Sequence, residues 1–585
     1  MESTQVNKAS PDDEPSFSEQ QAKDASEAPS TDRELTAQGP SESNSPEPVT
    51  GAKLVLLLAS LTLAAFLIFL DSSIVSTAVP KITDEFNSLK DVGWYGSAYQ
   101  LGSAVFVPLS GGIYHNFKLK WSFLVFFAIF EVGSAVCGAA PSSAALIIGR
   151  VIAGIGASGL NSGAFTILAC SVPMEKRPAI LGVLFGIAQL GAVLGPLIGG
   201  AFTTGYTWRW CFYINLPLGA LVAVPLFIMR VPDQVVKKNP ISVVRNLHRH
   251  LDLFGFALFT PAVVQLLLAL QFGGNQFHWS SSQVIGLFVG AGATFIIWTI
   301  WDWHKAADAL IPFAIIKKPA VFSSGISYAF LVATSFASLF FLPIYFQSVK
   351  NASPITAGVY LLATILPQLF AAVLGGKMVT ITRYVIPYAI VGGALNAIGT
   401  GLFALLQPHT STGKWVGFSI LSGFGRGFAL QMPLIATQVS VPPQEVAPAT
   451  AFIVWCQYIG PTIFLTLYNV VFDAGLRSQL QSRAPNVDAE AVIHAGATGF
   501  RKIVSAQDLP KVLVAYSTSL DYTFALGAGA AVVALVAALG MGWKDIQKKE
   551  TLPPLSQPTD PKHNQDDGVM NKSSADGEAL SEKQD

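Results

Sequence analysis

Gly186-Ile187-Ala188-Gln189-Leu190-Gly191-Ala192-Val193-Leu194-Gly195-Pro196-Leu197-Ile198-Gly199-Gly200 lies inside an apolar run long enough to cross a membrane. Gly191, Gly195 and Gly199 recur every four residues and so share one helix face. A face without side chains lets a neighbouring helix approach backbone to backbone. Pro196 removes one helical hydrogen bond within the stripe. A smooth, bendable helix in a chain of many spans suggests a part that slides or gates.

The rest of the composition agrees with a membrane setting. Of 585 residues, 51% are hydrophobic and only 12% charged, and the mean hydropathy is +0.49. A soluble chain of this size carries roughly twice that share of charge. Lys and Arg total 36, as do Asp and Glu, so net charge gives no reason to expect a nucleic-acid partner. The four cysteines, Cys137, Cys170, Cys211 and Cys456, fall in or beside apolar runs and form no Cys-x-x-Cys pair. They read as small packed hydrophobes rather than a disulfide or zinc framework.

Residues 1–50 and 544–585 are polar tails, expected to be disordered and cytoplasmic. Between them fourteen apolar stretches of bilayer length are predicted: 54–75, 92–112, 119–139, 144–169, 180–201, 211–230, 252–272, 283–303, 321–346, 356–376, 384–406, 415–436, 449–472 and 522–542. The fold class is therefore an all-α polytopic membrane protein. Its expected parts are a six-helix bundle over 51–230, a basic connection plus two extra helices over 231–303, and a second six-helix bundle over 304–543 with an outside loop at 473–521. Basic residues set the orientation. With the N-terminus inside, the inner connections hold Lys118, Lys120, Lys176, Arg177 and a basic cluster near Lys237, whereas the short outer ones hold only Lys81, Lys90, Arg209, Lys350 and Lys414.

Ionisable groups inside a bilayer are costly and so mark candidate functional positions. Asp71 stands in the outer half of the first span. It could take and release protons, or it could cap a helix break or pair with a fixed donor. Glu131 lies mid-span in the third stretch and must be protonated or paired. Arg150 shares a helix face with Gly154 and Ser158, and needs a carboxylate, carbonyls or water. Glu131 and Asp71 are both possible partners. Arg426, in Gly-Phe-Gly-Arg-Gly-Phe, is the equivalent residue of the second half, either lining a cavity or reaching an interface. The intramembrane amides Gln100, Gln189, Gln368, Asn396, Gln431 and Gln457 could hydrogen-bond a substrate or tie helices together. No phosphate-binding Gly-x-x-x-x-Gly-Lys-Ser/Thr is present, and no His/Glu cluster has metal-ligand spacing, so no cofactor, metal or enzymatic activity is expected. Asn351-Ala-Ser is a glycosylation sequon in an outer loop, disfavoured by Pro354 directly after it.

Together these residues resemble the major facilitator superfamily, in its fourteen-span drug:proton antiporter branch, and among that branch the fungal multidrug and toxin efflux pumps. Leu70-Asp71-Ser72-Ser73-Ile74-Val75, followed by Ala78-Val79-Pro80, is similar to the first-span signature. Arg150 with Gly154 and Gly156 resembles the fourth-span motif, whose Arg is associated with proton transfer. Gly191 to Gly200, with Gly195-Pro196 and Gly199-Gly200, resembles the antiporter motif of the fifth span. Trp208-Arg209-Trp210-Cys211-Phe212-Tyr213-Ile214-Asn215-Leu216-Pro217 resembles the segment that opens the sixth. The usual Asp-Arg loop between spans two and three is altered here, with His115 at the Asp position.

The resemblance implies a major facilitator fold and a proton-driven exporter of amphipathic organic compounds working by alternating access. Its expected partners are a small-molecule substrate, protons and the lipid bilayer. The chain is expected to act as a monomer in the plasma membrane, with a vacuolar or vesicle membrane as the alternative. An importer of a siderophore-like or nutrient solute is one rival reading; a transport-inactive receptor or scaffold is another.

Overall fold

In the computed structural model the described residues are 51–546, except 87, 89–90, 230, 234–236, 238–242, 244, 246–250 and 275. Both polar tails, bar residues 544–546, and most of the basic connection fall outside them. A backbone inside a bilayer must satisfy its own polar groups, so apolar runs of this length fold as helices. Only two isolated β-bridges accompany the helices among the described residues.

The first group comprises α1 (Gly51–Phe86), α2 (Val92–Asn116), α3 (Leu119–Ala139), α4 (Ser143–Ser171), α5 (Arg177–Gly205), the short α6 (Trp210–Tyr213) and α7 (Asn215–Ile228). Next come α8 (Leu253–Phe272), α9 (Ser282–Lys305) and the short α10 (Phe313–Ile316). The last group comprises α11 (Pro319–Ile344), α12 (Pro354–Thr382), α13 (Ile386–Leu402), α14 (Thr412–Ala429), α15 (Met432–Val439), α16 (Val446–Arg483), α17 (Ala489–Gly499) and α18 (Leu509–Ala538). Polar side chains fix several starts: the Ser142 hydroxyl accepts from Ala145 N at 3.3 Å, Asp252 from Gly255 N at 2.9 Å, and Ser353 from Thr356 N at 3.1 Å.

Within the first bundle α1 packs on α5 and α7, and α4 on α2 and α3; within the second, α14 packs on α12 and α13, and α11, α16 and α18 pack on one another. The bundles meet where α5 lies along α12 and α16 along α2 and α4. The pair α8–α9 docks through α8 onto α2 and α16.

Twelve helices among the described residues are long and apolar enough to span a bilayer. The sequence led us to expect fourteen. The two expected stretches outside the twelve are those of α2 and α14, which are long enough but dilute their apolar residues with Gly, Ser and polar groups. The outer connection also differs from its expected limits. Helix α16 continues to Arg483 and α18 already begins at Leu509, so 473–521 is largely helical and only 484–508 connects them, with α17 inside it.

Candidate functional site: a buried ion pair beside an interbundle cavity

A run of small residues on α4 builds the first part of the site. Gly154 lacks a Cβ where one would strike the Tyr99 carbonyl, and Gly156 does the same against Phe130. The closeness of α2, α3 and α4 leaves Arg150 only 1% exposed. Its Nη1 donates to Asp71 Oδ2 at 2.6 Å and its Nε donates to the Tyr95 carbonyl at 2.9 Å. The Tyr99 ring lies 4.4 Å from the guanidinium carbon. Asp71, wholly buried, receives a second donor: Asn215 Nδ2 at 2.9 Å, which also donates to Ser134 Oγ at 3.0 Å. Both members of the pair are thus hydrogen-bonded, as a buried pair requires.

Of the two carboxyls open to Arg150, the geometry selects Asp71. Glu131 sits apart, against Gly219 of α7, with neither carboxyl oxygen meeting a hydrogen-bond partner among the described residues. Arg426, at 2% exposure, has no carboxylate paired with it among the described residues, where its Nε also meets no hydrogen-bond partner. The two halves therefore carry similar arginines in different chemical settings. Asn215, Ser134, Tyr95 and Tyr99 were missed by the sequence reading as parts of this site. Only Asn215 carried a signal, through its place in the Trp208–Pro217 segment. That segment is tied down by Arg209, which donates to the carbonyls of Gly138 and Ala140 and pairs with Glu85 at 2.8 Å.

The glycine stripe faces α1. A Cβ on Gly191 would lie 2.5 Å from the Phe66 carbonyl, one on Gly195 would strike Ser73 Oγ, and one on Gly199 would lie 2.5 Å from Thr77 Oγ1. All three partners belong to α1, so the stripe fastens α5 to α1 inside one bundle. Ser73 Oγ reinforces the seam, donating to Gly191 O at 3.3 Å. Pro196 and Gly200 point the other way, into the cavity.

The contact between bundles uses other small residues. A Cβ on Gly182 would strike the Ala372 carbonyl of α12, and one on Gly376 the Pro178 carbonyl of α5. Both lie toward the end of the bundles where α1 begins, here called the Gly51 end. There Gly111 also abuts Ala451 and Pro448, His115 Nδ1 is 2.9 Å from Gln444 O, and Lys318 pairs with Glu445 at 2.5 Å. His115 thus makes a link across the bundles where the familiar loop has a carboxylate. Replacing Gly376 with Leu is expected to force the bundles apart at this end; cysteine cross-linking across Gln444 and Asn116 should fall relative to the parent chain.

At the opposite end, where α1 finishes, the bundles part around a cavity of about 1670 Å³. Gln100, Gln189 and Gln457 line it. Gln368, Arg426 and Gln431 are not among the lining residues. Gln431 Nε2 instead donates to Ala372 O at 2.8 Å, tying α15 to α12, and Asn396 Nδ2 donates to Thr334 Oγ1 at 3.1 Å. These are helix ties. Asn351 is exposed in the turn between α11 and α12, at a positive φ of 56°. Among the described residues no group of three or more His, Cys, Asp or Glu could hold a metal ion.

The family model described as Major Facilitator Superfamily matches residues 61–465. The chain belongs to the Major Facilitator Superfamily. It is 53% identical over 502 residues to the MFS-type transporter pigP of Monascus ruber, covering 86% of this chain and 88% of that one. It is 45% identical to the efflux pump mlcE of Penicillium citrinum, with 86% and 92% covered, and 39% identical to the efflux pump aflT of Aspergillus parasiticus, with 86% and 97% covered. Among solved structures the fold matches the human organic anion transporter MFSD10, at a TM-score of 0.53 and 13% identity over 84% of this chain and 100% of that one. This superfamily and these relatives are transporters, not enzymes, and the apolar helices make the chain a multi-pass membrane protein.

Proposed function

We propose that this protein exports amphipathic organic compounds, of the secondary-metabolite kind, in exchange for protons by alternating access. The observation that carries the reading is the cavity between the bundles, open at one end and closed at the other by close helix contacts. The names of the relatives, efflux pumps of filamentous fungi, support the direction of transport. In this reading α2 and the α14–α15 pair cross the bilayer with the twelve more apolar helices, giving fourteen spans. The basic connections lie at the Gly51 end, which is then cytoplasmic, so the described conformer faces outward. The protein acts as a monomer in the plasma membrane.

The two buried carboxyls divide the proton work. Asp71 accepts from Arg150 and Asn215 in this conformer, whereas Glu131 meets no donor among the described residues to stabilise a carboxylate charge. Glu131 is the seat of the proton in the outward-facing state. Rocking of the bundles changes the surroundings of α3 and α7 and releases it to the other side. Asp71 and Arg150 hold α1 against α4 while this happens.

The test is efflux of a preloaded fluorescent drug from cells expressing the full chain, with and without a protonophore. The protonophore is expected to raise retained dye to the level of cells lacking the chain; undiminished efflux would sink proton drive. Glu131→Gln is expected to reach the membrane and to lose pH-gradient-driven efflux while keeping dye exchange between the two sides. A variant that still follows the gradient would move the proton elsewhere.

A further inference from the structure

The deepest part of the cavity carries a small polar cluster built from both bundles. Asn161 of α4 donates through Nδ2 to Gln457 Oε1 of α16 at 3.2 Å and lies 3.5 Å from the Tyr458 hydroxyl. Tyr328 of α11 reaches the same Gln457 oxygen at 3.5 Å. All four residues line the cavity, and Asn161, Tyr328 and Tyr458 are 3%, 1% and 8% exposed. The floor is therefore one of amides and phenols, with donors and acceptors but, among the described residues, no carboxylate, ammonium or guanidinium.

Full charges lie elsewhere. Among the lining residues Asp473 and Arg477 are the charged side chains, and both are exposed. On α16 they sit 16 and 20 residues beyond Gln457, about 24–30 Å along the helix axis. The Asp71–Arg150 pair lies behind the Tyr99 ring and neutralises itself. An organic ion at the floor would lose its hydration without gaining a counter-charge, a cost of several kcal/mol. An uncharged molecule carrying carbonyl or hydroxyl groups on an apolar framework loses far less and finds matching partners, while the apolar walls take its rings.

Resting on the exporter reading above, we propose that the Asn161–Gln457–Tyr328–Tyr458 cluster is the recognition site for uncharged, oxygen-bearing apolar molecules and selects them over organic cations. The site does a second job. Asn161 and Gln457 belong to opposite bundles, so a ligand carbonyl that takes the Asn161 donor replaces a bond that holds the bundles together at the floor. Occupancy thereby loosens the contact that has to break before the cavity can close over the ligand.

The test is binding to the purified full-length chain in detergent, followed by dye fluorescence. The probes are Nile red, uncharged with a ring carbonyl, and rhodamine 6G, a permanent cation. Saturable Nile red binding is expected, with rhodamine 6G at least about tenfold weaker. The double variant Asn161→Leu/Gln457→Leu should weaken Nile red by about tenfold, the worth of one or two net hydrogen bonds. Gln457→Glu, which keeps the shape and adds a charge, should favour rhodamine 6G instead. Equal or tighter rhodamine 6G binding by the parent chain overturns the selectivity, as does Nile red binding unchanged in both variants. If the parent chain nonetheless pumps rhodamine 6G along a proton gradient, export stands and the neutral ligand class alone has failed.

Discussion

Replacing Arg150 with Met is expected to destabilise the protein by about 3–5 kcal/mol and to abolish transport, because it strands Asp71 as a buried carboxylate without its cation. The loss is larger than that of a surface pair, for which 0–1 kcal/mol is usual, since water cannot replace the missing partner. Asp71→Asn should cost a similar amount for the opposite reason, leaving a guanidinium that cannot shed its charge. The double variant Asp71→Asn/Arg150→Met removes both charges and should recover much of the stability without recovering transport. Thermal unfolding of the detergent-solubilised chains, run beside dye efflux, separates the two effects. Additive losses in the double variant would show that the two side chains do not act as a pair.

The second large effect is expected at Gly195. A Leu there must occupy the place of Ser73 Oγ and press on Ile74 N at 2.9 Å, both part of a helix whose backbone cannot step aside cheaply. Overpacking of this kind costs about 1–3 kcal/mol and more where backbone is met. Gly195→Leu is accordingly expected to yield little folded protein and no efflux. Gly200→Leu is the control, since nothing lies within 4 Å of a Cβ at that position. It should fold with stability within about 0.5 kcal/mol of the parent. Its side chain enters the cavity, so its mark should be a changed ligand preference. Size-exclusion yield and dye binding distinguish the outcomes, and equal behaviour of the two variants would show that the α1–α5 seam has slack.

The sequence made some of this legible and concealed the rest, for physical reasons. The long apolar runs were readable because a bilayer imposes both a length and a composition. The helices α2 and α14 were read as spans from their length, yet fall outside the twelve because small and polar residues dilute their hydropathy without preventing burial. The charges at Asp71 and Arg150 were conspicuous, but their union spans 79 positions and depends on where α1 and α4 meet. A glycine stripe states how near a neighbour comes and not which neighbour it is, so its partner α1 could not be named in advance. Gln457 stood out in the sequence as an intramembrane amide, yet nothing in the spacing announced Asn161, 296 positions away, as its counterpart. Gln431 and Asn396 look alike in sequence and serve as helix ties, because what separates a tie from a binding group is the cavity wall.

The seam between α1 and α5 has a mechanical consequence. Two helices locked along the stretch from Gly191 to Gly199 bend as one beam, stiffer than either alone. Helix α5 has 29 residues and so is about 43 Å long. Tilted by roughly 10° about its middle, such a beam swings each end through about 4 Å. At one tip that displacement would separate the contacts that Gly182 and Gly376 make between α5 and α12, while at the other it would carry Gly200 and Thr204 toward the mouth of the cavity. The glycines that appeared to offer looseness would then act as the rivets of a lever, and a small shift at one membrane face would be delivered undiminished to the other.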